Sequence, residues 1–156
     1  MKNAIIMILA AIMSLQLFVQ CKSTKTDDPV KQSDSKITYL LYMRQGMRGN
    51  VEKKYEMEWV ATENRYKVTF ENYDGVKTAY AELAIGEEIA EFLRQGRVDR
   101  FQNYYDPGPR VLDGWTWKFK VKYADGTSVS SGGRMRKPSD FSGVERTESR
   151  LKMLFE

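Results

Sequence analysis

The sequence predicts an α+β fold: a single antiparallel meander sheet of about six strands with two helices packed on one face. Three observations carry this. Trp115, Trp117, Phe119, Val121 and Tyr123 alternate with Thr116, Lys118, Lys120 and Lys122. A strand with one apolar and one charged face belongs to an antiparallel sheet covered on a single side. The apolar period then lengthens from two to 3.6 residues twice, after Ala84 and after Pro138, which adds two helices. Finally, the order of four strands, helix, two strands, helix lacks the strict alternation of a parallel βαβ sheet. With 156 residues, 42% of them hydrophobic and 29% charged, the chain suits one small domain. We place it at residues 36–156, with no internal repeat.

Each element has its own local reason. Ile37, Tyr39, Leu41 and Met43 share a parity and open the first strand. The glycine-rich run Arg44 to Asn50 is a loop. Tyr55, Met57 and Trp59 mark the second strand, and Tyr66, Val68 and Phe70 the third. A two-residue turn at Glu63-Asn64 would set Trp59 opposite Val68 and Met57 opposite Phe70, so that the apolar faces coincide. Tyr73-Asp74-Gly75 turns into a fourth strand, Lys77 to Ala84. The first helix carries Ile85, Ile89, Phe92 and Leu93 on one stripe, with Glu87 and Glu88 in its first turn, Arg94 in its last and Gly96 just beyond. Tyr104-Tyr105-Asp106-Pro107-Gly108-Pro109 is a loop. After the lysine strand, a three-residue loop ending in a left-handed Gly126 pairs Val121 with Val129. A tighter turn would strand Val129 among the lysines. Pro138 ends the last strand. The final helix, to about Phe155, carries Phe141, Val144, Leu151, Leu154 and Phe155, with Ser142 and Glu145 as a capping box.

Composition excludes several chemistries. The chain has no histidine and one cysteine. Histidine is the usual base near neutral pH and the commonest metal ligand. With Cys21 committed elsewhere, zinc sites, thiol catalysis, disulfides and Ser-His-Asp triads all fall away. We expect no cofactor and no metal. No Gly-rich phosphate loop, Ser-x-x-Lys pair or metal-ligand spacing is present. The net charge of +4 is modest and does not make a nucleic-acid binder.

The first residues are of another kind. Lys2 precedes an apolar run from Ala4 to Val19, interrupted only by Ser14 and Gln16. This is the layout of a secretory signal, expected over residues 1–20. A permanent spanning helix is the alternative, but the run is shorter than the roughly 20 residues a span needs. It ends at Cys21, without an Ala-x-Ala site. Here the sequence resembles a bacterial lipoprotein precursor, whose lipobox closes on a cysteine that is lipidated and becomes the first mature residue. Phe18 and Gln20 stand where such boxes prefer leucine and a small residue. The resemblance implies a membrane partner held through lipid on Cys21, and a cell-envelope, outer-membrane location. One acyl chain, at about 0.8 kcal/mol per buried CH₂, holds a protein only marginally, whereas the three chains of a lipoprotein hold it stably. Residues 21–35 hold almost no apolar side chain and read as a tether. Asp27 and Asp28 resemble the acidic signal for surface display, set slightly late, so cell surface and periplasmic face both stay open.

The folded part carries a second resemblance. Val111-Leu112-Asp113-Gly114-Trp115, Ala124-Asp125-Gly126, Gly132-Gly133 and Pro138-x-x-Phe141, with the Gly46-Met47-Arg48-Gly49 loop, resemble small uncharacterised lipoproteins of Bacteroidetes and similar bacteria. These motifs are turns and core aromatics. They imply a fold and no activity.

Candidate site residues follow from charge and aromaticity. Lys118, Lys120 and Lys122, with Arg134 and Arg136, form a candidate basic surface for an anionic glycan or an envelope protein. The bland alternative is a solvated face whose lysines discourage edge pairing. Arg48, Tyr104 and Tyr105 are candidate loop contacts, and the tyrosines offer stacking surfaces. Ser130 to Arg134 is a candidate anion nest. The expectation is a non-enzymatic binding module. Its rival is a carboxylate- or tyrosine-dependent enzyme acting on glycans, for which Glu87 and Glu91 share a helix face.

Overall fold

The computed structural model describes residues 34–109 and 114–156. The signal segment, Cys21, most of the tether and Val111-Leu112-Asp113 lie outside the described residues. One open sheet of six antiparallel strands runs in the order β4-β3-β2-β1-β5-β6. The strands are β1 (Ile37–Gln45), β2 (Val51–Val60), β3 (Arg65–Asn72), β4 (Gly75–Ala81), β5 (Thr116–Tyr123) and β6 (Ser128–Arg134). The helices are α1 (Leu83–Gln95) and α2 (Ser142–Lys152). The fold is α+β, with both helices contributing to one core against one sheet face.

The first four strands form a meander and the last two a hairpin. The chain after α1 carries β5 back to the free side of β1. The reason lies in β1. Its run Ile37-Thr38-Tyr39-Leu40-Leu41-Tyr42-Met43 is apolar on both faces, as suits a strand flanked by neighbours on either side. The two parities of this run part between the two faces. Leu40 and Tyr42 enter the core, whereas Tyr39, Leu41 and Met43 lie half-buried on the opposite face. The pairing with β5 shifts between Ile37 and Tyr39, and this irregularity lets Ile37 and Leu40 both point inward.

The core is continuous across the sheet. Met57, Val68, Leu40 and Val121 lie in adjacent pairs and are fully buried. Trp117 packs edge-on against Phe141, with ring centroids 4.8 Å apart, and its Nε1–H donates to the Arg136 carbonyl at 2.7 Å. Ile89 and Leu93 of α1 and Val144 and Leu151 of α2 close the other side. The helices meet where Gly96 follows α1. A Cβ on Gly96 would lie 2.8 Å from the Gly143 Cα, so no larger residue fits that crossing. Phe92, expected in the stripe, sits instead under the Arg146 guanidinium at 4.0 Å.

Four local expectations change. The β2–β3 turn spans four residues, with Asn64 left-handed at φ 51°. Trp59 therefore faces Tyr66, and Met57 faces Val68. The register moves by two residues, so every side chain keeps its face. Helix α1 starts at Leu83, leaving Glu87 and Glu88 beyond its first turn. At its other end Gly96 has φ −78°, and the left-handed residue is Arg97. No capping box forms at α2: Ser142 is its first residue, and its hydroxyl meets Asp140. The Val121–Val129 register and the left-handed Gly126, at φ 87°, are as expected.

Candidate functional site

The helices leave one sheet face open, and pairing fixes what lies on it. Three rows cross β2, β1 and β5: Glu58, Tyr39 and Lys122; Glu56, Leu41 and Lys120; Lys54, Met43 and Lys118. An apolar stripe on β1 thus runs between an ion-paired flank on β2 and a basic flank on β5. Lys118, Lys120 and Lys122 all lie on the open face, as the alternation demanded.

The two flanks differ in their bonding. Lys54 Nζ lies 3.1 Å from Glu56 and 3.4 Å from Glu71. Tyr39 donates its hydroxyl proton to Glu56 at 2.7 Å. That bond, followed by the Lys54 ammonium, holds the Glu56 carboxyl below its usual value, against the effect of burial. Burial first, and then the same bond, push Tyr39 up to about 12. On the β5 flank, Lys122 stands 5.5 Å from the Tyr39 ring. Lys118 and Lys120 have no ion pair or hydrogen-bond partner among the described residues.

A groove of about 550 Å³ lies beside these two lysines, lined also by Leu41, Gln45, Tyr104 and Ser130. Its far wall depends on an unforeseen contact. Residues 102–105 run along the outer edge of β6. Gly132 N–H donates to the Asn103 carbonyl at 3.1 Å, Tyr105 N–H to the Gly132 carbonyl at 2.8 Å, and Arg134 N–H to the Tyr105 carbonyl at 3.1 Å. Neighbouring residues of extended chain face opposite ways. Tyr104 is exposed at 55% and borders the groove. Tyr105 turns to the covered side, 6.0 Å from Trp117 between ring centroids. Gly132 is the gap between Tyr104 and Lys118: a Cβ there would lie 3.9 Å from a side-chain carbon of each.

The other candidates are dispersed. Arg48 occupies the β1–β2 loop with φ 67° and is exposed, outside the groove lining. Arg134 faces the open side opposite Thr116, one step beyond the groove. Arg136 reaches back to the Asp106 carbonyl at 3.3 Å. The candidate nest at Ser130 to Arg134 is strand β6, and two of its amides are spent on residues 103 and 105. Ser130 and Gly132 of that stretch line the groove, together with Leu41 and Gln45, which sequence reading does not mark as site residues. The parity of Leu41 with Tyr39 and Met43 was the available signal.

Glu87 and Glu91 line a separate cavity of about 390 Å³ with Arg94 and Tyr66. Glu91 bonds Arg94 and Gln95, and these bonds, Arg94 foremost, hold its carboxyl low. Tyr66 donates its buried hydroxyl to the Ile37 carbonyl at 2.9 Å, and burial foremost pushes it up to about 12. Both shifts run against a role as base for Glu91 and as acid or nucleophile for Tyr66. Among the described residues no His, Cys, Asp and Glu cluster could hold a metal, and no helix is long and apolar enough to cross a membrane. No protein-family model matches this chain, and no curated protein matches it significantly.

Proposed function

We propose that the protein is a lipid-anchored envelope lipoprotein, of the small Bacteroidetes type, that binds an anionic glycan in the open-face groove without catalysing a reaction. The observation that carries the ligand reading is the pair Lys118 and Lys120, two cations without ion-pair partners among the described residues, beside an apolar floor and the Tyr104 ring. An unpaired lysine recognises a carboxylate or sulfate as a point charge. An exposed aromatic ring offers a sugar its face, and Ser130 and Gln45 can bond hydroxyls. Attachment through Cys21 rests on the apolar run that ends there.

The test is calorimetric titration of the full chain, in detergent, with a uronic-acid oligosaccharide and its neutral counterpart. Binding of the acidic sugar alone, lost in Lys118→Ser/Lys120→Ser and weakened in Tyr104→Ala, is the expected result. Equal binding by the double variant would overturn the groove reading. A pull-down from the native envelope would then identify the natural ligand. Separately, Cys21→Ala is expected to move the protein from membrane to soluble fraction. Full retention on membranes would overturn the anchor.

A further inference from the structure

The two edges of the sheet are finished differently. Residues 103–105 cover β6 with three backbone hydrogen bonds. Strand β4 has β3 on one side, and no strand among the described residues on the other. Bare edges are templates for pairing, and proteins commonly blunt them with charge, proline or a bulge. Along β4, Lys77 is the only charged residue, and there is no proline. The edge is also apolar. Of the eight large hydrophobic residues exposed among the described residues, four gather at this strand: Tyr73 at 68%, Val76 at 65%, Tyr80 at 48% and Leu83 at 36%.

We infer that β4 pairs with β4 of a second copy of this chain, antiparallel about a two-fold axis through Thr78, joining two six-stranded sheets into one. Symmetry selects that register. The two-residue turn makes Asn72 and Gly75 the bonded pair nearest the β3–β4 hairpin. Alternation then points the N–H and C=O groups of Val76, Thr78 and Tyr80 outward. An axis at Thr78 sets Thr78 opposite itself and Val76 opposite Tyr80, so all three residues find bonded partners. Tyr73, in the turn before the strand, and Leu83, at the start of α1, flank the ladder at its two ends. Lys77 falls opposite Ala79, avoiding its own copy. Moving the axis to Lys77 would appose the two lysines, and moving it to Ala79 would set Val76 against Glu82. An interface in which the same patch serves both subunits is what a two-fold dimer requires. Asp74 and Glu82 are also apposed, at the wet ends of the ladder, so added salt strengthens the association by screening them. This inference rests on β4 alone and is independent of the ligand groove.

Sedimentation of the full chain in detergent should show a concentration-dependent monomer–dimer equilibrium that tightens with salt. A monomer at all concentrations up to about 0.1 mM would overturn the proposal and leave the edge to another protein's strand. Thr78→Pro removes an outward N–H that β3 does not use, so the monomer tolerates it while the dimer ladder breaks. Thr78→Lys, which keeps the strand but places two cations on the axis, is the companion variant. Association should fall at least about fivefold, and an unchanged equilibrium in Thr78→Lys would overturn the register. In a Cys21→Ser background, Thr78→Cys should crosslink to its copy on mild oxidation and Val76→Cys should not. The reverse pattern would overturn the axis.

Discussion

Met43 has a lysine directly across from it on either side: Lys54 in β2 and Lys118 in β5. The two are the same residue type on the same open face, with the same apolar neighbour. Lys54 is held by Glu56 and Glu71, whereas Lys118 has no ion pair or side-chain hydrogen bond among the described residues. The sequence around each explains the difference. β2 and β3 interleave acids and bases, so their pairing satisfies charge across the sheet. The open side of β5 is lysine at Lys118, Lys120 and Lys122, facing glycine and serines of β6. One flank uses its charges for structure, and the other holds two lysines with no ion pair among the described residues. That contrast is why the candidate site is placed on β5.

The comparison fails if β5 is not seated firmly against the core, so the largest expected effect is there. Trp117 is buried at 1% exposure, directly beside Lys118 in sequence but on the opposite face. Trp117→Ala should cost about 3–5 kcal/mol in urea unfolding, through lost packing on Phe141 and an orphaned Arg136 carbonyl. A cost of the order expected for an exposed residue would mean that the faces of β5 are wrongly assigned.

The paired flank carries a pH signature. Glu56 is held low in the folded state, so its contribution is present above about pH 4.5 and is lost as pH falls through the folded value. Tyr39 is raised from 10.0 to about 12, so its contribution is whole below pH 10 and is lost as pH rises toward 12. Tyr39→Phe should cost about 0.5–1.5 kcal/mol at neutral pH. It should also flatten both limbs of the stability profile measured by denaturant unfolding across pH. Steep limbs unchanged in the variant would assign them to other groups, among which Tyr55 and Tyr66, also pushed up to about 12, bear on the alkaline side.

How much of this was legible in the sequence follows from the same elements. The face of β5 was legible because five apolar residues keep strict period two. The Val121–Val129 register was legible because its rival would have placed a valine among lysines. The run of β1 is apolar in both parities, so its alternation marks a strand without telling which parity faces the core. The groove wall was not legible. Tyr104 and Tyr105 are adjacent and chemically alike, and only the pairing of residues 102–105 with β6, set by the long connection from α1, separates one into the groove and the other against Trp117. The start of α1 was misplaced because Glu87 and Glu88 suit a first turn, while burial of Ile85, Ile89 and Leu93 governs the phase of the helix.

The smallest effects give the sharpest form of the comparison. Lys54→Ser releases Glu56 and Glu71 on a half-exposed surface and should cost about 0.2–1 kcal/mol. Lys118→Ser/Lys120→Ser breaks no ion pair or side-chain hydrogen bond among the described residues. What changes is solvation, the covering that the lysine stems give Leu41 and Met43, and the strand preference of the new residue. Stability by urea unfolding should therefore stay within about 0.5 kcal/mol of the parent. A rise would fit as well as a fall, because two like charges on neighbouring rows repel until something anionic binds. The two variants should then diverge in binding. Lys54→Ser keeps the acidic oligosaccharide and loses stability, while the double variant keeps stability and loses the oligosaccharide. If the two variants moved both quantities together, charge on this face would act through the fold as a whole, and β5 would have no claim as a site distinct from β2.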